Sequence, residues 1–94
     1  MRAKRIDANQ NEIVDALRSV GALVAITSAL GNGFPDIVTA FRGRLYLVEI
    51  KDGRSPPSAR KLTKPEAEFH AKWTGYVHIV NNIDEALQLI GATS

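Results

Sequence analysis

The chain has 94 residues, 45 % of them hydrophobic, no cysteine and a formal net charge of +2. This suits one small domain with a thin core, and it excludes disulfides and cysteine-ligated zinc, which fits a reducing, cytoplasmic compartment. No apolar run approaches the ~20 residues of a membrane span, no secretory signal is visible at the N-terminus, and an isoelectric point of about 9.2 beside so small a net charge is weak evidence for nucleic acid.

Taken in chain order, the basic residues Arg2, Lys4 and Arg5 come first. Asp7, with Gln10 three residues later, reads as a capping box that opens a helix. Ile13, Leu17 and Val20 form its apolar stripe, and Gly21 stops it. Residues 23–29 are apolar and β-branched, a first strand. Residues 31–35, Gly-Asn-Gly-Phe-Pro, make a turn-rich connection. Strands follow at 36–41 and 44–51, separated by Arg42-Gly43. Residues 52–61 carry Gly53, Ser55, Pro56, Pro57 and Ser58 and read as an exposed, mobile loop. Thr63 and Glu66 make a second capping box, opening a helix that runs to about Thr74 before Gly75. On it Phe69 and Trp73 share a face and are assigned to the core, and His70 to the surface. Residues 76–80 are a fourth strand, with His78 as a hydrogen-bonded structural residue. Asn82 and Glu85 cap a last helix through Ile90, closed by Gly91. The order is αβββαβα, with no internal repeat and one domain over residues 1–94. The third and fourth strands are joined through a helix and should run parallel with a right-handed crossover. The apolar third strand implies helices on both faces of a mixed four-stranded α/β sheet.

That third strand is apolar on both alternating faces until Glu49 and Lys51. Residues i and i+2 of a strand point the same way, so these two share a face. A carboxylate and an ammonium at the end of a buried strand are costly unless something uses them. If Arg42-Gly43 is a two-residue turn, Phe41 pairs with Arg44, and counting outward sets Asp36 opposite Glu49. Directly opposed residues have Cβ atoms roughly 4.5–5.5 Å apart, where like charges repel. Mg²⁺ or Mn²⁺ would relieve that repulsion, since hard cations take carboxylate oxygens. Arg-Gly is a weaker turn signal than Asn-Gly, and a one-residue slip would change the facing partner.

Each candidate has a plainer reading. Glu49 and Lys51 could be a buried ion pair, and Glu-x-Lys alone favours that; with Pro35-Asp36 heading the neighbouring strand, catalysis is favoured. Glu12 lies beside the apolar stripe and reads equally as a solvated carboxylate or as one aimed at the metal. Glu66 is explained by its cap, although a helix start facing the site could position water or phosphate. Arg54, Arg60, Lys61 and Lys64 are a solvated cluster or a set of phosphate contacts.

Together these residues resemble the virus-type replication-repair nuclease (VRR-NUC) family of the PD-(D/E)xK nucleases. The resemblance covers nearly the whole chain: a helix bearing Glu12, then Gly33-Phe34-Pro35-Asp36, Glu49-Ile50-Lys51 and Leu62-Thr63-Lys64-Pro65-Glu66. It is specific in combination and not in any single piece. It implies a restriction-endonuclease-like core, a Mg²⁺- or Mn²⁺-dependent DNA endonuclease, and a viral or bacterial origin. Asp36, Glu49 and the backbone C=O of Ile50 would hold the metal. Lys51 would complete the site as a base of lowered pKa or as a charge stabiliser, and Glu12 would belong to it. One departure stands out: Glu66 occupies a position where the family often has Gln. Small stand-alone members act as homodimers on branched DNA such as four-way junctions, which makes DNA the expected partner. The first helix, Leu87 and Ile90 are the candidate dimer patch. The rival readings are a non-catalytic nucleic-acid-binding module and an RNA nuclease on the same scaffold.

Overall fold

The computed structural model describes residues 8–92; Asp7 and the basic cluster Arg2, Lys4 and Arg5 lie outside them. Helix α1 (Ala8–Ser19) buries Asn9, Gln10, Ile13, Val14 and Leu17. That is a 3.6-residue stripe running from 10 through 13 and 14 to 17. Val20, expected on the stripe, lies past the helix end and is exposed; Val14 takes its place. Gly21, at φ 94°, ends the helix, and the N–H of Ala22 returns to the Leu17 carbonyl.

Strand β1 (Leu23–Ile26) is shorter than expected, and a 3₁₀ turn over Ser28–Leu30 replaces its end. The cause is local hydroxyl chemistry. Thr27 Oγ1 donates to the Pro35 carbonyl at 2.7 Å and Ser28 Oγ to Gln10 Oε1 at 3.0 Å, which turns the chain out of the ladder. Strands β2 (Ile37–Phe41) and β3 (Arg44–Ile50) form the expected hairpin, with Phe41 paired to Arg44 and Ile37 to Val48. Arg42 and Gly43 have φ of 51° and 80°, the left-handed pair that a two-residue turn of matching twist requires. One step further out, the same register sets Asp36 against Glu49.

The segment after β3 holds a 3₁₀ turn over Pro57–Arg60 and leads into helix α2 (Lys64–Lys72). Strand β4 (Val77–Val80) then lies parallel to β3, with Leu47 paired to Val77 and Ile50 to Val80. The sheet order is β1-β2-β3-β4, a mixed sheet in a single α/β domain. Both arms of the α2 capping box form: Thr63 Oγ1 accepts from Glu66 N at 3.3 Å, and Glu66 Oε1 accepts from Thr63 N at 2.9 Å. Helix α3 (Ile83–Leu89) is capped by Asn82, but the Glu85 side chain reaches back to Asn81 instead.

The core lies on one sheet face, where Ile37, Val48, Ile50 and Val80 meet Ile13, Val14, Leu17, Ala86 and Ile90. Each large aliphatic side chain there contributes about 1.5–3 kcal/mol. The other face is not sealed by helix, contrary to expectation: α2 buries no residue, and Leu23 and Leu45 are 74 % and 69 % exposed. Strand β3 is therefore buried only over Val48, Glu49 and Ile50. Three further expectations are corrected. Ile90 is buried in the core and so is no dimer surface, while Leu87 is half-buried against it. Trp73 is 44 % exposed. Phe69 is only half-buried, meeting the Phe34 ring edge-on. At Gly33 the start of α2 comes so near that a Cβ would collide with the Pro65 carbonyl and press on the Glu66 nitrogen.

Candidate active site

The head of β2, the C-terminal end of β3 and the start of α2 converge on one polar cavity of about 210 Å³. Gln10, Ser28, Asp36, Glu49, Lys51 and Glu66 line it. Asp36 is buried, and its Oδ2 accepts the Ile50 N–H at 2.8 Å, which ties the two strand ends together. Glu49 is 2 % exposed, and its Oε1 has no hydrogen-bond partner among the described residues. Its Oε2 lies 3.5 Å from Lys51 Nζ. Lys51 Nζ donates to Glu66 Oε1 at 2.9 Å, the same oxygen that takes the Thr63 N–H. Lys51 is thus held between two carboxylates.

Burial, and then the neighbouring Asp36 and Glu66 carboxylates, push the Glu49 carboxyl up from 4.5 to about 8, against the opposing pull of Lys51. Burial alone would lower Lys51, but the hydrogen bond and charge of Glu66, followed by Glu49, outweigh it and raise its pKa. Glu66 moves the other way: burial would raise it, but the Thr63 N–H and Lys51 prevail and lower it. Lys51 and Glu66 form an ion pair at 2.9 Å. In the metal-free protein Lys51 is therefore held charged; the lowering expected of it is the effect of a cation bound beside it.

Glu12 is brought elsewhere. Gln10 faces the cavity, and two residues on at 100° each turn Glu12 to the far side of the helix. Its half-exposed side chain stands 3.9 Å from Arg54 and lines a second cavity with Asn9 and Asp52. Arg54 is engaged by Asp52, Nε to Oδ1 at 3.0 Å. Arg60 is half-buried, whereas Lys61 and Lys64 are exposed. His78 is half-buried beside the Tyr46 ring. His70 is not a simple surface residue: burial lowers its pKa, and it feels both Glu66 and Lys51.

Gln10 and Ser28 went unrecognised as site residues. The available signal was phase, because Gln10 is a polar residue on the apolar stripe of Ile13, Val14 and Leu17. Its Nε2 has no partner among the described residues, while its Oε1 accepts from Ser28. Asn9 fastens the same helix to the strand end, donating to the Lys51 carbonyl at 2.8 Å.

The residues suit a hard divalent cation. The Glu49 carboxyl group, buried with one oxygen lacking a partner among the described residues and pushed toward its protonated form, is what such an ion would relieve. Among the described residues, no three His, Cys, Asp or Glu side chains close into a cage. Asp36 and Glu49 are a pair, which fits a cation that keeps part of its water shell.

No family model matches the chain, and no curated protein does. A solved structure described as a VRR_NUC domain matches with a TM-score of 0.57 and 27 % identity, covering 90 % of this chain and 92 % of that one. The likeness supports the VRR-NUC family and gives the chain a nuclease-family fold. No helix among the described residues is long and apolar enough to cross a membrane.

Proposed function

We propose that this chain, with its VRR-NUC-type fold, is a Mg²⁺- or Mn²⁺-dependent endonuclease that cuts branched DNA, including four-way junctions, as a homodimer. One observation carries the reading. A buried carboxylate with an unpartnered oxygen, Glu49, faces Asp36 beside an ammonium, Lys51, in an open polar cavity. A binding module has no use for that costly arrangement.

Asp36, Glu49 and the Ile50 carbonyl would hold the cation. When bound, it supplies Lewis-acid polarisation of the phosphate and a water of lowered pKa. Asp36 and Glu49, paired at the open end of the β2–β3 hairpin, would position it there. Lys51, kept charged by Glu66, orients the attacking water and offsets the negative charge that grows on the phosphate oxygens. The Gln10 amide provides a further donor on the cavity wall. Lys61, Lys64 and Arg60 meet the flanking phosphates, with a smaller share from Arg54, which Asp52 already occupies.

A four-way junction needs two matched cuts, and one chain has one such site. The open sheet face over Leu23, Ala25, Val38, Ala40 and Leu45 offers an apolar surface for a second copy across a two-fold axis. Labelled duplex, flap and four-way-junction DNA, incubated with Mn²⁺ or EDTA, test the reading. Metal-dependent cleavage favouring the branched substrates is expected. DNA bound but uncut in Mn²⁺ returns the chain to the binding-module reading, and RNA cut in preference makes it a ribonuclease. The cation should also raise the melting temperature by mass action, and no shift would remove the metal from the mechanism.

A further inference from the structure

Four aromatic rings run in series away from the cavity. Phe34, two residues before Asp36, meets Phe69 edge-on with centroids 5.3 Å apart. Phe69 stacks face to face on Trp73, at 5.0 Å and an interplanar angle of 5°. Tyr76 closes the series edge-on to Trp73 at 6.4 Å. The outer rings are open to solvent: Trp73 is 44 % exposed and Tyr76 68 %. A single exposed aromatic needs no explanation. Here the indole is held parallel to a partner that is itself fixed against the loop leading into the site.

Position adds to this. Glu66 and Phe69 on α2 and Trp73 at its C-cap are spaced i, i+3, i+7 and form one stripe. At 1.5 Å per residue, Trp73 stands about 10 Å along the axis from Glu66. That is about three nucleotides at the duplex stacking distance of roughly 3.4 Å per strand. Lys64 and Lys72 are exposed on the same helix, so a backbone reaching this platform passes cations. The aliphatic surface over Leu23 and Leu45 suits a second copy; the aromatic series suits a ring.

On the nuclease reading above, we infer that Trp73 stacks an unpaired nucleobase of the strand whose phosphate lies in the Asp36–Glu49–Lys51 cavity. Phe69 and Phe34 back the indole and keep its plane fixed. Stacking is indifferent to sequence, because every base has a π-face. The ligand class is therefore single-stranded or branch-point nucleic acid, and the residue selects structure by rewarding bases that are not paired.

Trp73 is the only tryptophan in the chain, so its emission reports the contact directly. The protein with Lys51→Ala, expected to slow cleavage, is titrated in Ca²⁺ with a single-stranded oligonucleotide, a flap and a blunt duplex. Anisotropy of labelled DNA gives occupancy in parallel. Single strand and flap should quench Trp73, and blunt duplex should not. Adding Trp73→Ala should weaken flap binding roughly tenfold and leave duplex within twofold, and Trp73→Phe should recover part of the loss. Unchanged emission at saturating flap overturns the inference without recourse to any Trp73 variant. So does quenching by protein concentration alone, with Trp73→Ala halving the mass, since a second copy would then cover the ring. Quenching without wild-type cleavage in Mn²⁺ sinks the nuclease reading alone, whereas cleavage without quenching sinks the stacking alone.

Discussion

Glu49 sets the pH behaviour of the metal-free protein. Its carboxyl holds a proton up to about pH 8 when folded and releases it near 4.5 when unfolded. Between those values the folded chain binds more protons, so stability from this group is full below about pH 4.5 and is lost as pH rises through 8. Glu49→Gln should therefore raise the melting temperature of the apo protein by several degrees at pH 8 and leave it near wild type at pH 5. A lower melting temperature at pH 8 would show that the carboxylate is not the burden described. The same variant should lose the cation-induced shift. Cation affinity in the wild type should climb between pH 5 and 8, because the ion must displace that proton.

Lys51 acts at the same scale. Lys51→Ala should lower kcat by about 10²–10³ while leaving cation and DNA affinity in place. The change removes a charge at a strand end and deletes no core volume. Cleavage near the wild-type rate would reduce Lys51 to an ion-pair partner of Glu49.

At the scale of elements, the start of α2 does two things through one oxygen. Glu66 Oε1 closes the helix cap and anchors Lys51. Thr63→Ala removes the hydroxyl arm of the cap only, so it should cost about 1 kcal/mol of stability with kcat unchanged. Glu66→Ala should cost a similar amount and also lower kcat, with KM held. Thermal melts beside steady-state kinetics separate the two roles; equal kinetic losses in both variants would mean that the cap alone matters. Gly33 belongs to this joint, since its missing side chain lets the Pro65–Glu66 backbone reach the loop before Asp36.

Two expectations belong to the whole molecule. Replacing Arg54, Arg60 and Lys61 together with Ala should flatten the salt dependence of DNA binding, by a slope of about 0.9 per lost phosphate contact. The total should fall short of three contacts, because Asp52 holds Arg54. An unchanged slope would return the cluster to bulk solvent. The dimer is a question of surface. Light scattering should give a mass near twice 10.2 kDa, and Leu45→Lys should yield monomers. A dimer that survives Leu45→Lys uses another surface; a strictly monomeric wild type, on and off DNA, makes paired cutting untenable and favours flap cleavage or nicking.

The hairpin was legible in the residues because its determinants are local. Period-2 alternation, a two-residue turn and a count outward from Phe41–Arg44 suffice to set Asp36 against Glu49. The caps at Thr63 and Asn82 were legible for the same reason, since cap and partner lie three residues apart. What depended on packing was not. Which side of α1 faces the cavity is decided by the helix's phase against the sheet, so Gln10 entered the site and Glu12 left it. Whether a face is sealed depends on where α2 lands, and it leaves Trp73, Leu23 and Leu45 in solvent. The charge state of Lys51 rests on a contact between strand end and helix start, fifteen positions apart, that no local pattern encodes. Sequence alone determined the elements and the carboxylate pair; only the tertiary structure decided what surrounds that pair, because burial and electrostatics depend on neighbours distant along the chain.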